Sequence, residues 1–190
     1  MDQHVNRRFQ PISTQSALIR PFTLADADAV LALSNEESLV KWLPSQVYVD
    51  HAHAVSVLEF LIGKSTSPAD PRLEPYVLAV EDPRTHDLIG HVGFSPLGDE
   101  VEIGFAIKES HQGRGIATEV IGAASRWCFR SYAIDRILAI TSSANGAAMR
   151  ALERSGFEWR GNELMDFQGT LQPVATFALA RSTTPGPTQS

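Results

Sequence analysis

Glu102-Ile-Gly-Phe-Ala-Ile-Lys-Glu-Ser-His-Gln112-Gly-Arg-Gly-Ile-Ala117 is the stretch whose reading decides the fold. It opens as a strand, passes through a short connection, and reaches two glycines. Beyond them the period changes, because Ile116, Val120, Ile121, Ala124 and Cys128 fall on one face at helical spacing. Glycines at a helix start let backbone N–H groups approach a ligand closely. The helix dipole adds partial positive charge there, so the geometry suits a phosphate or pyrophosphate. Arg114, inside the turn, adds a mobile cation. Gly113-x-Gly115 lacks the third glycine of a dinucleotide fingerprint, and no Gly-Lys-Ser/Thr follows as in a Walker loop. A helix start that uses glycine only for tight packing accounts for the same spacing.

Working outward, alternation predicts strands over 76–81, 88–97 and 100–107, joined by the turn 82–87 and by Gly98-Asp99. Upstream lie a strand over 17–22, a helix started by the capping-box-like Thr23-Leu-Ala-Asp26, a helix within 51–62 and a loop over 63–75. Downstream, 136–141 is a β-branched strand. Asn145 is a good N-cap for a helix ended by Ser155-Gly156, and strands near 157–164 and 172–179 follow. This order predicts a mixed α/β layer fold in one domain, 17–181, with polar, disordered or extended tails at 1–16 and 182–190.

Composition narrows the partners. Among 190 residues, 16 Lys and Arg face 22 Asp and Glu, a net charge of −6 with no basic cluster. That argues against neutralising nucleic-acid phosphates and against adhesion to an anionic membrane. No apolar run approaches the ~18 residues that span a bilayer. The single Cys128 makes neither an intramolecular disulfide nor a multi-thiolate zinc site, and the N-terminus lacks a secretory apolar stretch, so a cytoplasmic protein is expected. His51 and His53 have no third ligand at metal spacing, so no metal is expected. Cys128, beside Trp127 on the apolar helix face, reads as core.

Gln112-Gly-Arg-Gly115-Ile-Ala117 resembles the Gln/Arg-x-x-Gly-x-Gly/Ala signature of the GNAT acyltransferases. Leu18-Ile-Arg20-Pro-Phe-Thr-Leu-Ala-Asp26 and Asn145-Gly-Ala-Ala-Met-Arg-Ala-Leu-Glu-Arg-Ser-Gly156-Phe157 are similar to segments of its subgroup that acetylates ribosomal-protein N-termini. The resemblance spans about 17–180. It implies a GNAT-like, mostly antiparallel central sheet of about six to seven strands, splayed in the middle, with helices on both faces. It also implies acetyl-CoA as co-substrate, held by Gln112, Gly113, Arg114, Gly115, Ile116, Ala117 and Thr118 at the pyrophosphate. The backbone of Phe105, Ala106 and Ile107 would hold the pantetheine arm, between splayed strands 100–107 and 136–141. Asn145 matches an Asn near the cofactor thiol, a role compatible with that of N-cap. Homodimers are common in families of this fold, so a homodimer is among the partners it allows. The sequence departs from the family at the general acid: the Tyr-like and Ser positions are Leu152 and Ala148, leaving Ser142, Ser143 or a water as donors.

Strand parity selects the base. Glu100, Glu102, Gly104 and Ala106 share one face, opposite Val101, Ile103, Phe105 and Ile107. With a two-residue turn at Gly98-Asp99, Ser95 pairs with Glu102, Gly93 with Gly104 and His91 with Ala106. The face carrying an acid, a Ser, a His and small residues reads as a ligand floor or as a solvated sheet face. Glu102 matches the family's general base, acting directly or through water. His91 is a reserve base or a structural histidine, and Ser95 and Trp42 are candidates to contact the acceptor, Trp42 otherwise capping the core. The expected reaction is direct attack of a primary amine, from a peptide N-terminus or a small molecule, on the thioester. An α-amine of pKa about 8 is roughly a tenth neutral at pH 7, against less than about one in a thousand for Lys, and so asks less of the base. The negative excess favours approach of a cationic amine. The competing expectation is a non-catalytic acyl-CoA-binding or regulatory module of the same fold.

Overall fold

The computed structural model describes residues 9–66 and 70–182. In chain order the elements are β1 (Ile12–Ser13), β2 (Leu18–Arg20), α1 (Ala27–Ser34), α2 (Glu37–Trp42), α3 (His51–Thr66), β3 (Tyr76–Glu81), β4 (Leu88–Leu97) and β5 (Glu100–Ile107). They continue with α4 (Ile116–Ser131), β6 (Arg136–Ser142), α5 (Gly146–Arg154), β7 (Glu158–Phe167) and β8 (Thr170–Ala180). All eight strands join one sheet in the order β1-β2-β3-β4-β5-β6-β8-β7. Every neighbouring pair is antiparallel except β5 and β6, which run parallel. That one parallel pair is also the shortest ladder of the sheet's centre. Only Val101 with Ile137 and Glu102 with Leu138 are in register, and beyond Glu102 the two strands part.

The β4–β5 hairpin has the register that alternation demands, with Ser95 opposite Glu102, Gly93 opposite Gly104 and His91 opposite Ala106. One face is buried under α4, where Val120, Ile121, Ala124 and Cys128 pack with Val92, Phe94, Val101 and Ile103. Its other face meets the first helices, where Val30, Leu33 and Leu58 pack with Ala79, Leu88 and Ala106. Helices therefore cover both faces, and the parity that places Glu102 and Gly104 away from α4 is enforced by the burial of their neighbours.

The entry to α1 is fixed by an ion network. The Thr23 backbone N–H donates to Asp26 (2.7 Å), and the Arg20 guanidinium grips both Asp26 oxygens (2.8 and 2.9 Å) and reaches Glu81 on β3 (2.5 Å). Burial alone would raise the Asp26 and Glu81 carboxyls, but the bonds to Arg20 outweigh it and hold both below their ordinary values.

Four expectations change. Residues 9–16 are not a tail: Phe9 is buried against Trp127 (ring centroids 5.0 Å), and β1 pairs with β2. Glu119 on α4 accepts from the Ser16 N–H and the Thr14 hydroxyl (both 2.9 Å). A two-residue strand has no alternation to read, and this segment is held by tertiary contacts. Residues 1–8 and 183–190 lie outside the described residues. Between the first two expected helices, where the sequence predicts no element, lies α2, six residues with only Leu39 buried, too short for a periodic signal. The helix expected to end at 62 runs to Thr66. The terminal strands are longer than expected and meet in a turn at Gln168-Gly169, both at positive φ (57° and 77°), and β1 brings the sheet to eight strands.

Candidate active site

After β5 the chain makes one turn of 3₁₀ helix, Glu109–His111, and then the glycine turn. Gly113 (φ 74°) and Gly115 (φ 81°) occupy the left-handed region that favours glycine, and no atom lies within 4 Å of where a Cβ would stand on either. The turn is thus an open cradle at the N-terminus of the 16-residue α4, whose first amides no side chain caps. Gln112 ties the cradle to the strand before it, its amide donating to the Ile107 carbonyl (2.8 Å).

The cradle opens into a cleft of about 400 Å³ where β5 and β6 part. Gln112, Gly113, Gly115, Ile116, Ala117 and Thr118 line one end, Phe105, Ala106 and Ile107 one wall, and Ile140 and Thr141 the opposite wall. Asn145 lines it too. Its Oδ1 accepts from the Ala148 N–H (3.1 Å) as an N-cap, which leaves its NH₂ group to donate elsewhere. The cleft fits the group that the cradle implies: backbone donors and a helix terminus for a pyrophosphate, and a slot between parted strands for an extended arm.

Two sequence expectations do not place side chains here. Arg114 is exposed and does not line the cleft, whereas Arg150 and Arg154 on α5 do. Ala147, Arg150, Ala151 and Arg154 follow a three- and four-residue spacing on α5, a stripe of small and basic residues that the sequence displays and that could have been found from its period. Ser142 and Ser143 do not line it either: the Ser142 hydroxyl accepts from the Ala144 N–H (3.4 Å), and the buried Ser143 hydroxyl has no partner among the described residues. Thr141 lines it instead. Leu152 and Ala148, the positions without an acid, both face the cleft.

Glu102 sits at the last residue pair before the strands part, half-buried at the cleft's edge. Burial pushes its carboxyl above the ordinary value, partly opposed by the Ile140 amide. Ser95 and Gly104 border both this cleft and a second cavity of about 180 Å³ that lies between the sheet and α1 and α3. His91 lines that second cavity. Burial pushes its imidazole down to about 4, so it is neutral at physiological pH.

Trp42 lines the cleft, with the Lys41 ammonium 4.5 Å from its ring centroid. The segment that carries it joins the cleft's two sides. At one end the Ser38 N–H donates to Glu109 and the Glu109 N–H to Glu36 (both 2.7 Å); at the other the Ser45 hydroxyl meets Gln168 in the β7–β8 turn. Leu43, Gln46, Phe167 and Gln168, which this bridge brings to the cleft, are far apart in sequence and carry no shared motif.

Cys128 is buried in the core, its thiol pushed up to about 12 by burial first of all. Among the described residues no three His, Cys, Asp or Glu side chains are grouped to hold a metal ion, and no helix is long and apolar enough to cross a membrane.

Comparison with known proteins fits this geometry. Residues 17–158 match the family model described as acetyltransferase (GNAT) domain. An uncharacterized N-acetyltransferase of Bacillus subtilis, YoaA, is 26% identical over 156 residues, covering 80% of this chain and 85% of that protein. Among solved structures, a ribosomal-protein-S5-alanine acetyltransferase from Vibrio fischeri superposes with a TM-score of 0.78 at 17% identity, covering 92% of this chain and 98% of the other. A ribosomal L7/L12 α-N-protein acetyltransferase in complex with coenzyme A gives 0.75 at 19% identity, covering 90% and 98%. With its glycine cradle, its parted strands and a family match over most of its length, the chain belongs to the GNAT acetyltransferase family.

Proposed function

We propose that the protein is an N-acetyltransferase whose acceptor is a primary amine attacking the thioester directly, with Glu102 as general base. Acetyl-CoA supplies the activated acetyl group. The observation that carries the reading is the position of Glu102: the half-buried carboxylate stands where β5 and β6 part, and it borders the same cleft as the glycine cradle. The amides of Gln112 to Thr118, the α4 terminus, and Arg150 and Arg154 hold the phosphates. The backbone of Phe105, Ala106 and Ile107 orients the arm, and the Asn145 NH₂ group donates near the thiol end. Those strand amides are also positioned to polarise a carbonyl.

Glu102 takes the proton of the ammonium, directly or through a water, and a base with a raised pKa is better matched to that task than an ordinary carboxylate. With Leu152 and Ala148 at the acid positions, the thiolate leaves without a dedicated donor. A thiol-like pKa of about 8.5 makes that leaving group good enough. His91, half-buried and neutral, lines the cavity proposed for the acceptor and is better suited to hydrogen-bonding the substrate than to removing its first proton. The ribosomal L7/L12 enzyme among the structural neighbours is an α-N-protein acetyltransferase, and an α-amine fits the same chemistry here. Calorimetry with acetyl-CoA and thiol release over a panel of amines and peptides tests the reading. Binding without release from any amine would make the protein a CoA-binding module instead.

A further inference from the structure

The second cavity bears on what the amine is attached to. Its walls include Phe22, Leu58, Leu61, Val77 and Leu88, and among the described residues no Asp, Glu, Lys or Arg side chain lines it. A cavity of about 150 Å³ with aliphatic walls takes a benzene ring, so about 180 Å³ accommodates a phenyl or isobutyl group. It is joined to the cleft where Leu39, Gln46, Ser95 and Gly104 line both. Gly104 lies two residues beyond Glu102 on the same strand face, about 7 Å along. A Cβ at Gly104 would meet nothing within 4 Å. A substituent on an amine held at Glu102 therefore has a clear path over Gly104 into the cavity.

We propose that the acceptor is a primary amine carrying one uncharged apolar group, which seats between the sheet and α1 and α3, and no second cation. This rests on the acetyl-transfer reading and narrows its substrate. Glu102 is the carboxylate at the junction, and beyond it the lining offers a second ammonium no counter-ion, so a diamine would bury an unpaired charge. The polar atoms in the cavity are few. The Ser34 hydroxyl is already used, donating to the Leu31 carbonyl (2.9 Å) and accepting from the Tyr48 N–H (3.1 Å). His91, Tyr48, Gln46 and Ser95 also line it, and none of their side chains has a hydrogen bond among the described residues; these uncharged groups can orient one neutral substituent but supply no counter-ion for an ammonium.

The test compares kcat/KM at saturating acetyl-CoA for phenylethylamine, ethylamine and diaminobutane, and for tripeptides beginning with Phe or Gly. Phenylethylamine should exceed both other amines by at least about thirtyfold. If the Phe peptide leads its Gly counterpart by a similar factor and outperforms the free amine, the source is a polypeptide N-terminus; if the free amine leads, it is a small molecule. Equal rates across the amines, or preference for diaminobutane, overturn the proposal. Val57→Phe, from α3 into the cavity, and Gly104→Val, at the junction, should each cut the phenylethylamine-to-ethylamine ratio at least about tenfold; a ratio unchanged in both also overturns it. Calorimetry of phenylethylamine with the CoA-loaded protein separates the two readings. Binding that Gly104→Val abolishes, without turnover of any amine, supports the cavity and overturns acetyl transfer, and absence of binding and turnover overturns both.

Discussion

The two halves of the site are built from different materials. The half proposed for the cofactor is mostly backbone, with Arg150 and Arg154 beside it: a turn held open by two positive-φ glycines, the start of α4, and the end of a strand whose neighbour has moved away. The half proposed for the acceptor is side chain: an apolar cavity closed by α1 and α3, a neutral histidine, and a bridge from α2 to the β7–β8 turn. A backbone site serves any sequence that folds this way and binds one invariant ligand. A side-chain site can differ in every family member, which is where acceptor specificity has room to change.

Glu102 stands on the boundary, and substituting it separates the halves most sharply. Glu102→Gln should lower kcat by about 10²–10⁴-fold while leaving acetyl-CoA affinity within about twofold. Because burial raises its pKa, the acid limb of the wild-type kcat/KM profile should lie above the ordinary carboxylate range and vanish in the variant. The stability sign runs opposite to the activity. A carboxyl raised by folding binds its proton more tightly in the native state, so its ionisation costs stability at neutral pH and costs nothing below the ordinary Glu range. The variant should therefore be at least as stable as wild type at pH 7, with no advantage near pH 4. A variant that kept wild-type turnover would remove the base from the boundary.

A second contrast lies within the floor of the acceptor half. A Cβ on Gly90 would stand 2.2 Å from the Ala106 carbonyl oxygen, a backbone atom that cannot swing aside. Gly90→Ala should destabilise the fold by about 2–4 kcal/mol in chemical denaturation, whereas Gly104→Ala, with open space above it, should lose no stability. These glycines look alike in sequence, yet one is demanded by the sheet and the other leaves room for a ligand.

The same division explains what was legible in the sequence. The glycine cradle and the hairpin register depend on local spacing, turn length and alternation, which a sequence displays directly, whereas the parting of 100–107 from 136–141 was expected only from the family resemblance. Arg150 and Arg154 were within reach of the same reasoning, since they keep helical period on α5. The bridge was not: Ser45 and Gln168 meet only because two loops are carried over the cleft by different elements. Nor was the structure of residues 9–16, where a single buried Phe9 and the carboxylate of Glu119 substitute for any repeating pattern.

His91 gives the acceptor half a pH signature of its own. Unfolded, it is half-protonated near pH 6.5; folded, burial holds it at about 4. A base lowered by folding contributes stability that is complete above its unfolded pKa and is lost as pH falls from about 6.5 towards 4, on the order of 2 kcal/mol over that window. Urea midpoints measured between pH 7.5 and 4.5 should show the decline, and His91→Gln should reduce it. A decline of the same size in the variant would assign the acid sensitivity to other groups.

The smallest effect belongs to the cations of the cofactor half. With a net charge of −6, the overall field opposes an anionic co-substrate, so the attraction must be local. All three side chains are exposed, but Arg150 and Arg154 line the cleft and Arg114 does not. A charge that contacts a phosphate in a partly desolvated cleft is little screened, whereas one reaching it through solvent loses most of its influence beyond a Debye length of about 8 Å at physiological salt. Arg150→Ala or Arg154→Ala should therefore raise the KM for acetyl-CoA about three- to tenfold, with the difference from wild type persisting in salt. Arg114→Ala should raise it about twofold at low ionic strength, and that difference should vanish as salt is added. A larger and salt-resistant effect at Arg114 would mean that its side chain folds onto the phosphates once they are bound, and that the cofactor half is not held by backbone and α5 alone.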